Sequence, residues 1–444
     1  MEKGRRSGAL ALMCVGGLWA AGCRGDLADE LRDLLGQHDG QGTGGASCAT
    51  GGVGTGGAAT GGAAPGGASG GLGGSATGGM GGSATGGMGG QQPAAPQTRA
   101  DFNHDGFNDF LLAGRALLGG PNGYSMSWTI PGPTQGTTAI YLVAGDLNGD
   151  GFTDVVRLDE STSQTPMGLW TPTPIFGGAS GFTAGMPNTD ATNTLAGSMY
   201  SYGPAGDVNG DGFADVVVKT RSGAVTLLGG PQGITVGTPP ATQTSQAYDA
   251  MDGDINGDGY SDAVSNSNGE QAIEQSFGSA TGFGATPTSV PAQPQIGSLV
   301  MLDANSDRFS DVAFATADGL QIFAGSPSGL MPATILALPG SARAVGSGRF
   351  NGDGNVDVIV SVASGLEVHD GTSTGPASAG VSLAAPPQWR AGTFLGSFGD
   401  VNGDGFDDFT VGVIDSNTDG YNPVSAVLHL GGPNGLDPTG TPAM

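Results

Sequence analysis

Short runs of apolar residues, separated by polar segments rich in glycine, recur along the chain from about residue 99 onward. Several of them directly follow an acidic residue, for example DVVRL at 154–158 and DVIVS at 357–361. Others come before an acidic segment, as TAIYLVAG does at 138–145. Runs of this length that are rich in valine, isoleucine and aromatic residues and are bounded by turn residues are typical of β-strands. We therefore predict pairs of short strands joined by acidic hairpin turns.

The acidic segments are seven copies of one nine-residue pattern, D-x-N-x-D-G-x-x-D. Their first residues lie 45–61 residues apart. A repeat of about 50 residues made of short strands is typical of a β-propeller, in which each blade has four strands. In chain order the loops are DFNHDGFND (101–109), DLNGDGFTD (146–154), DVNGDGFAD (207–215), DINGDGYSD (254–262), DANSDRFSD (303–311), RFNGDGNVD (349–357) and DVNGDGFDD (400–408).

The spacing of the oxygen-bearing side chains in this pattern indicates a cation site. Side-chain oxygens at positions 1, 3, 5 and 9, with the backbone carbonyl of position 7, can converge on one centre, and glycine at position 6 permits the turn. Hard oxygen donors in this number are typical of calcium. The sequence leaves one alternative open, which is a metal-free turn closed by the Asp and Asn side chains themselves.

The EF-hand is a different calcium motif, and the sequence excludes it. An EF-hand loop needs a bidentate carboxylate at position 12. In this chain the seven corresponding residues are Leu112, Arg157, Val218, Ser265, Phe314, Val360 and Val411.

Five of the loops keep every position of the pattern, and two depart from it. In the fifth loop Arg308 replaces the turn glycine. In the sixth loop Arg349 replaces the first ligand, and we expect its guanidinium to pair with Asp353 or Asp357. We therefore expect five well-formed Ca²⁺ sites, one doubtful site and one empty site. The predicted ligands are Asp101, Asn103, Asp105, Phe107, Asp109, Asp146, Asn148, Asp150, Phe152, Asp154, Asp207, Asn209, Asp211, Phe213, Asp215, Asp254, Asn256, Asp258, Tyr260, Asp262, Asp303, Asn305, Asp307, Asp311, Asp400, Asn402, Asp404, Phe406 and Asp408.

A second element follows each loop, and it is a strand that ends in two glycines four residues apart. Examples are IFGGASGF at 175–182, LLGGPQGI at 227–234 and SFGSATGF at 276–283. Together with the acidic loops, these segments resemble the FG-GAP repeats of integrin alpha chains over residues 99–444. The resemblance implies an all-β fold, a seven-bladed β-propeller whose calcium loops join the first two strands of each blade. For function it implies only a class, because such propellers occur in adhesins, in enzymes that bind or cleave polysaccharides, and in lipases.

The segment before the repeats has the features of an export signal followed by a linker. A basic start and an apolar run lead to WAAGC, which resembles a bacterial lipobox with Cys23 as the lipidated residue. The alternative is plain cleavage near Ala21 or a simple anchor helix. The predicted organisation is a lipoprotein-type signal peptide (1–22), a lipidated cysteine with a short helix and a disordered linker rich in glycine, alanine, serine and threonine (23–98), and the propeller (99–444).

Charge and this N-terminal segment narrow the location and the partners of the protein. A formal net charge of −26 argues against binding to nucleic acid and against attraction to an anionic membrane. We expect an exported monomer in the bacterial outer membrane or at the cell surface. Its contact with the membrane is expected only through the lipidated N-terminus.

The sequence shows no motif that indicates catalysis, such as a nucleophile elbow, a phosphate loop or a zinc site. His369 and His429 stand at equivalent strand ends in different repeats, so we expect them to have packing or surface roles. For Trp128, Trp170 and Trp389 we favour core packing over sugar stacking. We therefore predict a calcium-binding propeller without enzymatic activity that mediates binding or adhesion to a protein or polysaccharide. The alternatives are an enzyme that acts on polysaccharide or lipid and a structural role in the envelope.

Overall fold

Most of the repeat region is described by the computed structural model of the protein. The signal peptide, Cys23, the linker and Trp389 lie outside the described residues, so the predictions for them stay predictions. No helix within the described part of the chain is long and apolar enough to cross a membrane. The described residues are 100–442 without 113, 134–136, 162–168, 190–194, 196–198, 221–222, 238–247, 267–271, 285–286, 294, 333, 339–341, 343, 363–364, 384–394 and 415–422.

Twenty-seven β-strands make up the described elements, and they form seven antiparallel sheets, one for each repeat. Blade 1 contains β1 (Phe110–Leu112), β2 (Arg115–Leu118) and β3 (Met126–Thr129). Blade 2 contains β4 (Thr137–Gly145), β5 (Asp154–Ser161), β6 (Leu169–Phe176) and β7 (Thr183–Ala184), and blade 3 contains β8 (Met199–Gly206), β9 (Asp215–Thr220), β10 (Gly223–Leu228) and β11 (Thr235–Val236). Blade 4 contains β12 (Tyr248–Gly253), β13 (Asp262–Asn266), β14 (Ala272–Ser276) and β15 (Thr288–Pro291), and blade 5 contains β16 (Gln295–Leu302), β17 (Asp311–Thr316), β18 (Gly319–Phe323) and β19 (Thr334–Ala337). Blade 6 contains β20 (Ala344–Gly348), β21 (Asp357–Val362), β22 (Gly365–His369) and β23 (Val381–Leu383), and blade 7 contains β24 (Leu395–Gly399), β25 (Asp408–Ile414), β26 (Pro423–His429) and β27 (Thr441–Pro442).

Each blade is a meander in which every strand pairs with the next strand along the chain. The acidic loop joins the first strand to the second, and in blade 2 the pair Gly145 and Asp154 closes this hairpin. In blade 1 the equivalent pair is an isolated bridge between Ala100 and Asp109. The prediction of an all-β, seven-bladed propeller is therefore confirmed, and so is the position of the loops at hairpin turns.

The hydrophobic core lies between neighbouring blades. The second strands, such as β17 and β21, are buried along their whole length, which explains why their sequences are continuous apolar runs and not alternating ones. One cluster joins Leu142 and Val156 of blade 2 to Val216 and Leu227 of blade 3. The first strands of successive blades also contact one another. The blades therefore stabilise each other face to face around a centre lined by the first strands.

The ring closes where blade 1 packs against blade 7. The Asn108 N–H donates to the Asp400 carbonyl at 2.7 Å, and the Gly120 N–H donates to the Val401 carbonyl at 2.9 Å. The Tyr124 hydroxyl lies 3.0 Å from the Thr410 hydroxyl. Equivalent backbone hydrogen bonds join blades 1 and 2, so the closing junction uses the same contacts as an ordinary one.

Candidate metal-binding loops

The seven loops share one backbone conformation. Position 4 has a φ between 56° and 78°, and position 6 has a φ between 77° and 91°, in all seven copies. Glycine occupies most of these places, but His104 and Ser306 adopt the left-handed conformation at position 4, and Arg308 adopts it at position 6. The fifth loop therefore keeps the fold of the loop without its turn glycine, at a conformational cost of about 1 kcal/mol.

The polar side chains of each loop turn toward the backbone N–H groups of the same loop. In the second loop, Asp146 Oδ1 accepts the N–H of Gly149 at 2.7 Å, and its Oδ2 accepts the N–H of Gly151 at 2.8 Å. Asn148 Oδ1 accepts the N–H of Asp150 at 2.9 Å, and Asp150 Oδ1 accepts the N–H of Phe152 at 3.0 Å. These hydrogen bonds place the oxygens of positions 1, 3 and 5 around one short turn.

The aspartate at position 9 has a role that the sequence did not reveal. It is at most 1% exposed in every loop. Its Oδ2 accepts the N–H of position 2 at 2.7–3.0 Å. Its Oδ1 accepts the N–H of the first glycine of the second motif at 2.7–2.9 Å. This one carboxylate therefore ties the acidic loop to the glycine motif in all seven blades.

That first glycine has no room for a side chain. A Cβ atom on Gly229 would lie 2.3 Å from the Ala214 carbonyl oxygen and 2.9 Å from the Leu147 carbonyl oxygen of blade 2. The glycine thus sits where its own loop and the loop of the preceding blade meet. The next residue, Gly230, has room for a Cβ atom, whose nearest neighbour would be the Gly233 carbonyl oxygen at 3.7 Å, and its N–H donates to the Leu147 carbonyl at 2.8 Å.

Burial of the position-9 carboxylates disfavours their charged form. Desolvation raises the pKa of Asp109 and Asp215 to about 7 and that of Asp154 to about 8, although two N–H donors act in the opposite direction. A buried carboxylate beside further carboxylates is the kind of group whose charge a hard cation would compensate. The donor set, which consists only of oxygens, therefore fits calcium.

The carboxylates nevertheless make hydrogen bonds to backbone N–H groups in the arrangement seen here. No three His, Cys, Asp or Glu side chains within the described ranges form a cluster that could hold a metal. The hydrogen bonds in each loop are thus those of a turn closed by Asp and Asn side chains. Calcium binding stays a prediction that needs its own test.

We expect the stability of the calcium-free protein to fall as the pH rises from about 5 to about 8. Each position-9 aspartate has a pKa of about 3.8 in the unfolded chain and a raised pKa in the folded protein. At a pH between the two, the folded state therefore binds more protons than the unfolded state. The free energy of unfolding therefore decreases with increasing pH across this window, by at least about 3 kcal/mol for the seven groups together. Urea denaturation in excess EGTA measures it, and constant or increasing stability would contradict the expectation. Saturating calcium should reverse the slope, because protons then compete with the cation.

The sixth loop corrects one expectation about Arg349. Among the described residues its guanidinium forms no ion pair with Asp353 or Asp357. Its backbone N–H instead donates to Asp407 Oδ2 of blade 7 at 2.8 Å. The expectation was wrong because this position is fixed by a backbone contact to the next blade, which does not require its side chain to enter the loop.

Two histidines and two tryptophans in the described part of the chain contribute to the packing: His369, His429, Trp128 and Trp170. His369 and His429 are at most 1% exposed, and each Nδ1–H donates to a backbone carbonyl, that of Ala377 at 3.0 Å and that of Asp437 at 2.7 Å. Trp128 contacts the edge of a phenylalanine ring with centroids 5.9 Å apart. The burial of these histidines and of Trp170, and the ring contact of the partly buried Trp128, favour the packing interpretation over an exposed sugar platform.

The third repeat carries the match to a known family. Residues 203–228, which include the third acidic loop, β9 and β10, match the model of the FG-GAP repeat. The seven-bladed propeller therefore contains an FG-GAP repeat. Its other six blades repeat the loop, the buried aspartate and the glycine motif of the matched segment. The family assignment made from the sequence is therefore confirmed.

Two solved structures show how distant the similarities of this FG-GAP propeller are. One is described as the structural basis of specific recognition of non-reducing terminal N-acetylglucosamine by an Agrocybe aegerita lectin; it is 15% identical, with a TM-score of 0.48, and the match covers 69% of this chain and 80% of that chain. The other is BBS1N in complex with ARL6DN, soaked with lead; it is 12% identical, with a TM-score of 0.40 and coverages of 72% and 89%. Both TM-scores lie below 0.5, so neither similarity bears on the function of this chain. No curated protein matches it.

Proposed function

We propose that this FG-GAP propeller is a surface-tethered, calcium-stabilised module that binds a protein or polysaccharide ligand. The observation that carries the proposal is the sevenfold recurrence of an oxygen-rich loop that is anchored in each blade by a buried aspartate. A ring held together in this way is a rigid scaffold, and rigid scaffolds position binding loops. The tether rests on the lipobox-like sequence at Cys23.

Calcium in this proposal is held by the oxygens of positions 1, 3, 5 and 9 and by the carbonyl of position 7. The cation supplies positive charge to a group of carboxylates that is otherwise neutralised only by protons and backbone N–H groups. The fifth loop retains Asp303, Asn305 and Asp307 with the same hydrogen bonds as the intact loops, so it is included as a doubtful sixth site. The sixth loop is proposed to be empty, because it lacks the carboxylate at position 1.

An array of glycans and secreted or surface proteins, probed with the purified protein in calcium and in EGTA, tests the binding function. Capture that depends on calcium and releases no product supports the proposal. Release of shortened glycans or of fatty acids would instead support the enzyme alternative. The absence of capture under both conditions would contradict a binding function and leave a structural role in the envelope.

A further inference from the structure

Six of the seven loops touch the loop of the preceding blade through an aromatic ring at position 7. The Phe213 ring of the third loop lies so close to Gly149, at position 4 of the second loop, that a Cβ there would be 2.8 Å from it. The Tyr260 ring covers Gly210 in the same way, with a corresponding distance of 2.7 Å. The close approach is a second reason, beside the positive φ at this position, why position 4 is usually glycine.

The same contact recurs around the ring with one exception. Six junctions pair an aromatic ring at position 7 with position 4 of the preceding loop, and in one of them His104 takes the place of glycine, with its ring 5.7 Å from that of Phe152. Between the fifth and sixth loops the aromatic is replaced by Asn355, whose Oδ1 accepts a hydrogen bond from the Ser306 hydroxyl at 3.1 Å.

A backbone hydrogen bond accompanies the ring contact. The N–H of position 8 donates to the carbonyl of position 1 in the preceding loop at 2.7–3.0 Å, as Ala214 does to Asp146. Within the described part of the chain this bond joins six of the seven junctions and is missing between the fifth and sixth loops. A second backbone bond between blades, which Gly230 donates to Leu147 at the junction of blades 2 and 3, is also absent here among the described residues. In blade 6 the corresponding N–H, that of Thr372, donates to the Gly375 carbonyl of its own turn.

We propose that the aromatic at position 7 is a positioning residue for the calcium loop of the preceding blade, so that neighbouring loops bind Ca²⁺ cooperatively. Its carbonyl is a ligand of its own loop in the proposed function, on which this inference rests. Its ring restrains position 4 of the preceding loop, which stands between the ligands at positions 3 and 5. Ordering one loop therefore favours the bound conformation of the next. The coupling runs around the ring and is interrupted between the fifth and sixth loops.

The test separates the ring of Phe213 from the site in its own loop. Asp211→Asn removes a charged ligand of the third loop and is expected to remove one site from the calcium titration of the full chain. The third site is already disabled in that variant, so a further loss of calcium binding on adding Phe213→Leu must come from the second loop, which the ring contacts. We expect the affinity of one remaining site to fall about tenfold. Adding Phe213→Tyr instead should leave that affinity unchanged, because Tyr260 makes the same contact in the fourth loop.

Three outcomes are distinguishable by isothermal titration calorimetry, with thermal unfolding in EGTA as a second readout. If both double variants unfold at the same temperature in EGTA and only the leucine variant loses affinity, the ring positions the second loop. If the leucine double variant binds calcium as Asp211→Asn does, this inference is overturned while calcium binding stands. If the unaltered protein gives no heat with CaCl₂, the proposed function itself fails.

Discussion

Gly229→Ala is expected to destabilise the propeller by about 3 kcal/mol, the range in which overpacking of a rigid site falls. The new methyl group would lie 2.3 Å from the Ala214 carbonyl oxygen and 2.9 Å from that of Leu147. Both atoms belong to backbone that is held by hydrogen bonds across the junction, so neither can move without breaking contacts between blades 2 and 3. Urea denaturation followed by circular dichroism measures the loss.

Gly230→Ala is the matched control for this substitution. It adds the same methyl group one residue later, where the nearest atom is the Gly233 carbonyl oxygen at 3.7 Å, an ordinary contact. Its N–H, which donates to Leu147, is retained. We expect a change within about 0.5 kcal/mol. Equal effects of the two substitutions would show that the first glycine is not a point of close approach between blades.

Asp215→Asn is expected to cost about 2–3 kcal/mol even without calcium, because an amide cannot accept two N–H groups through two oxygens. Asp215 accepts the Val208 N–H at 3.0 Å and the Gly229 N–H at 2.9 Å, and it is fully buried. In the variant one of these N–H groups would face the NH₂ group. The measurement is the free energy of unfolding in EGTA at about pH 8, where the native carboxylate is ionised.

Asp211→Asn separates the structural role from the role in metal binding. Asp211 is exposed, so in EGTA we expect its substitution to change stability by less than about 0.5 kcal/mol. In calcium both variants should lose the stabilisation that the third site provides. If Asp215→Asn were as mild in EGTA as Asp211→Asn, the link between the acidic loop and the glycine motif would be refuted.

The strands and turns could be predicted from the sequence because each blade repeats the same local signals. Apolar runs such as 357–361 follow directly on a turn pattern, and seven copies remove the ambiguity that one short run would have. The position-9 aspartates show the limit of this reasoning. An aspartate that binds a cation and one that accepts two buried N–H groups have the same spacing, and only the approach of Gly229 to Asp215 distinguishes them.

The particular partners in the contacts between blades could not be predicted, since they join residues about 50 positions apart. Arg308 was expected to disturb the fifth loop, yet the loop keeps its shape because its hydrogen bonds and its neighbours hold that residue at a positive φ. The pairing of Arg349 with its own loop was wrong for a similar reason, because a bond from blade 7 fixes its backbone. Closure of the ring through Asn108 and Asp400 also gave no signal in the local pattern.

Two measurements decide whether bound Ca²⁺ stabilises the blades. They are the calorimetric titration of the purified protein with CaCl₂ at about pH 8 and its melting temperature in calcium and in EGTA. The account predicts heat from about five sites and a clear decrease in the melting temperature on chelation. No heat of binding, together with a melting temperature that chelation leaves unchanged, would mean that the acidic turns are closed by their own hydrogen bonds alone.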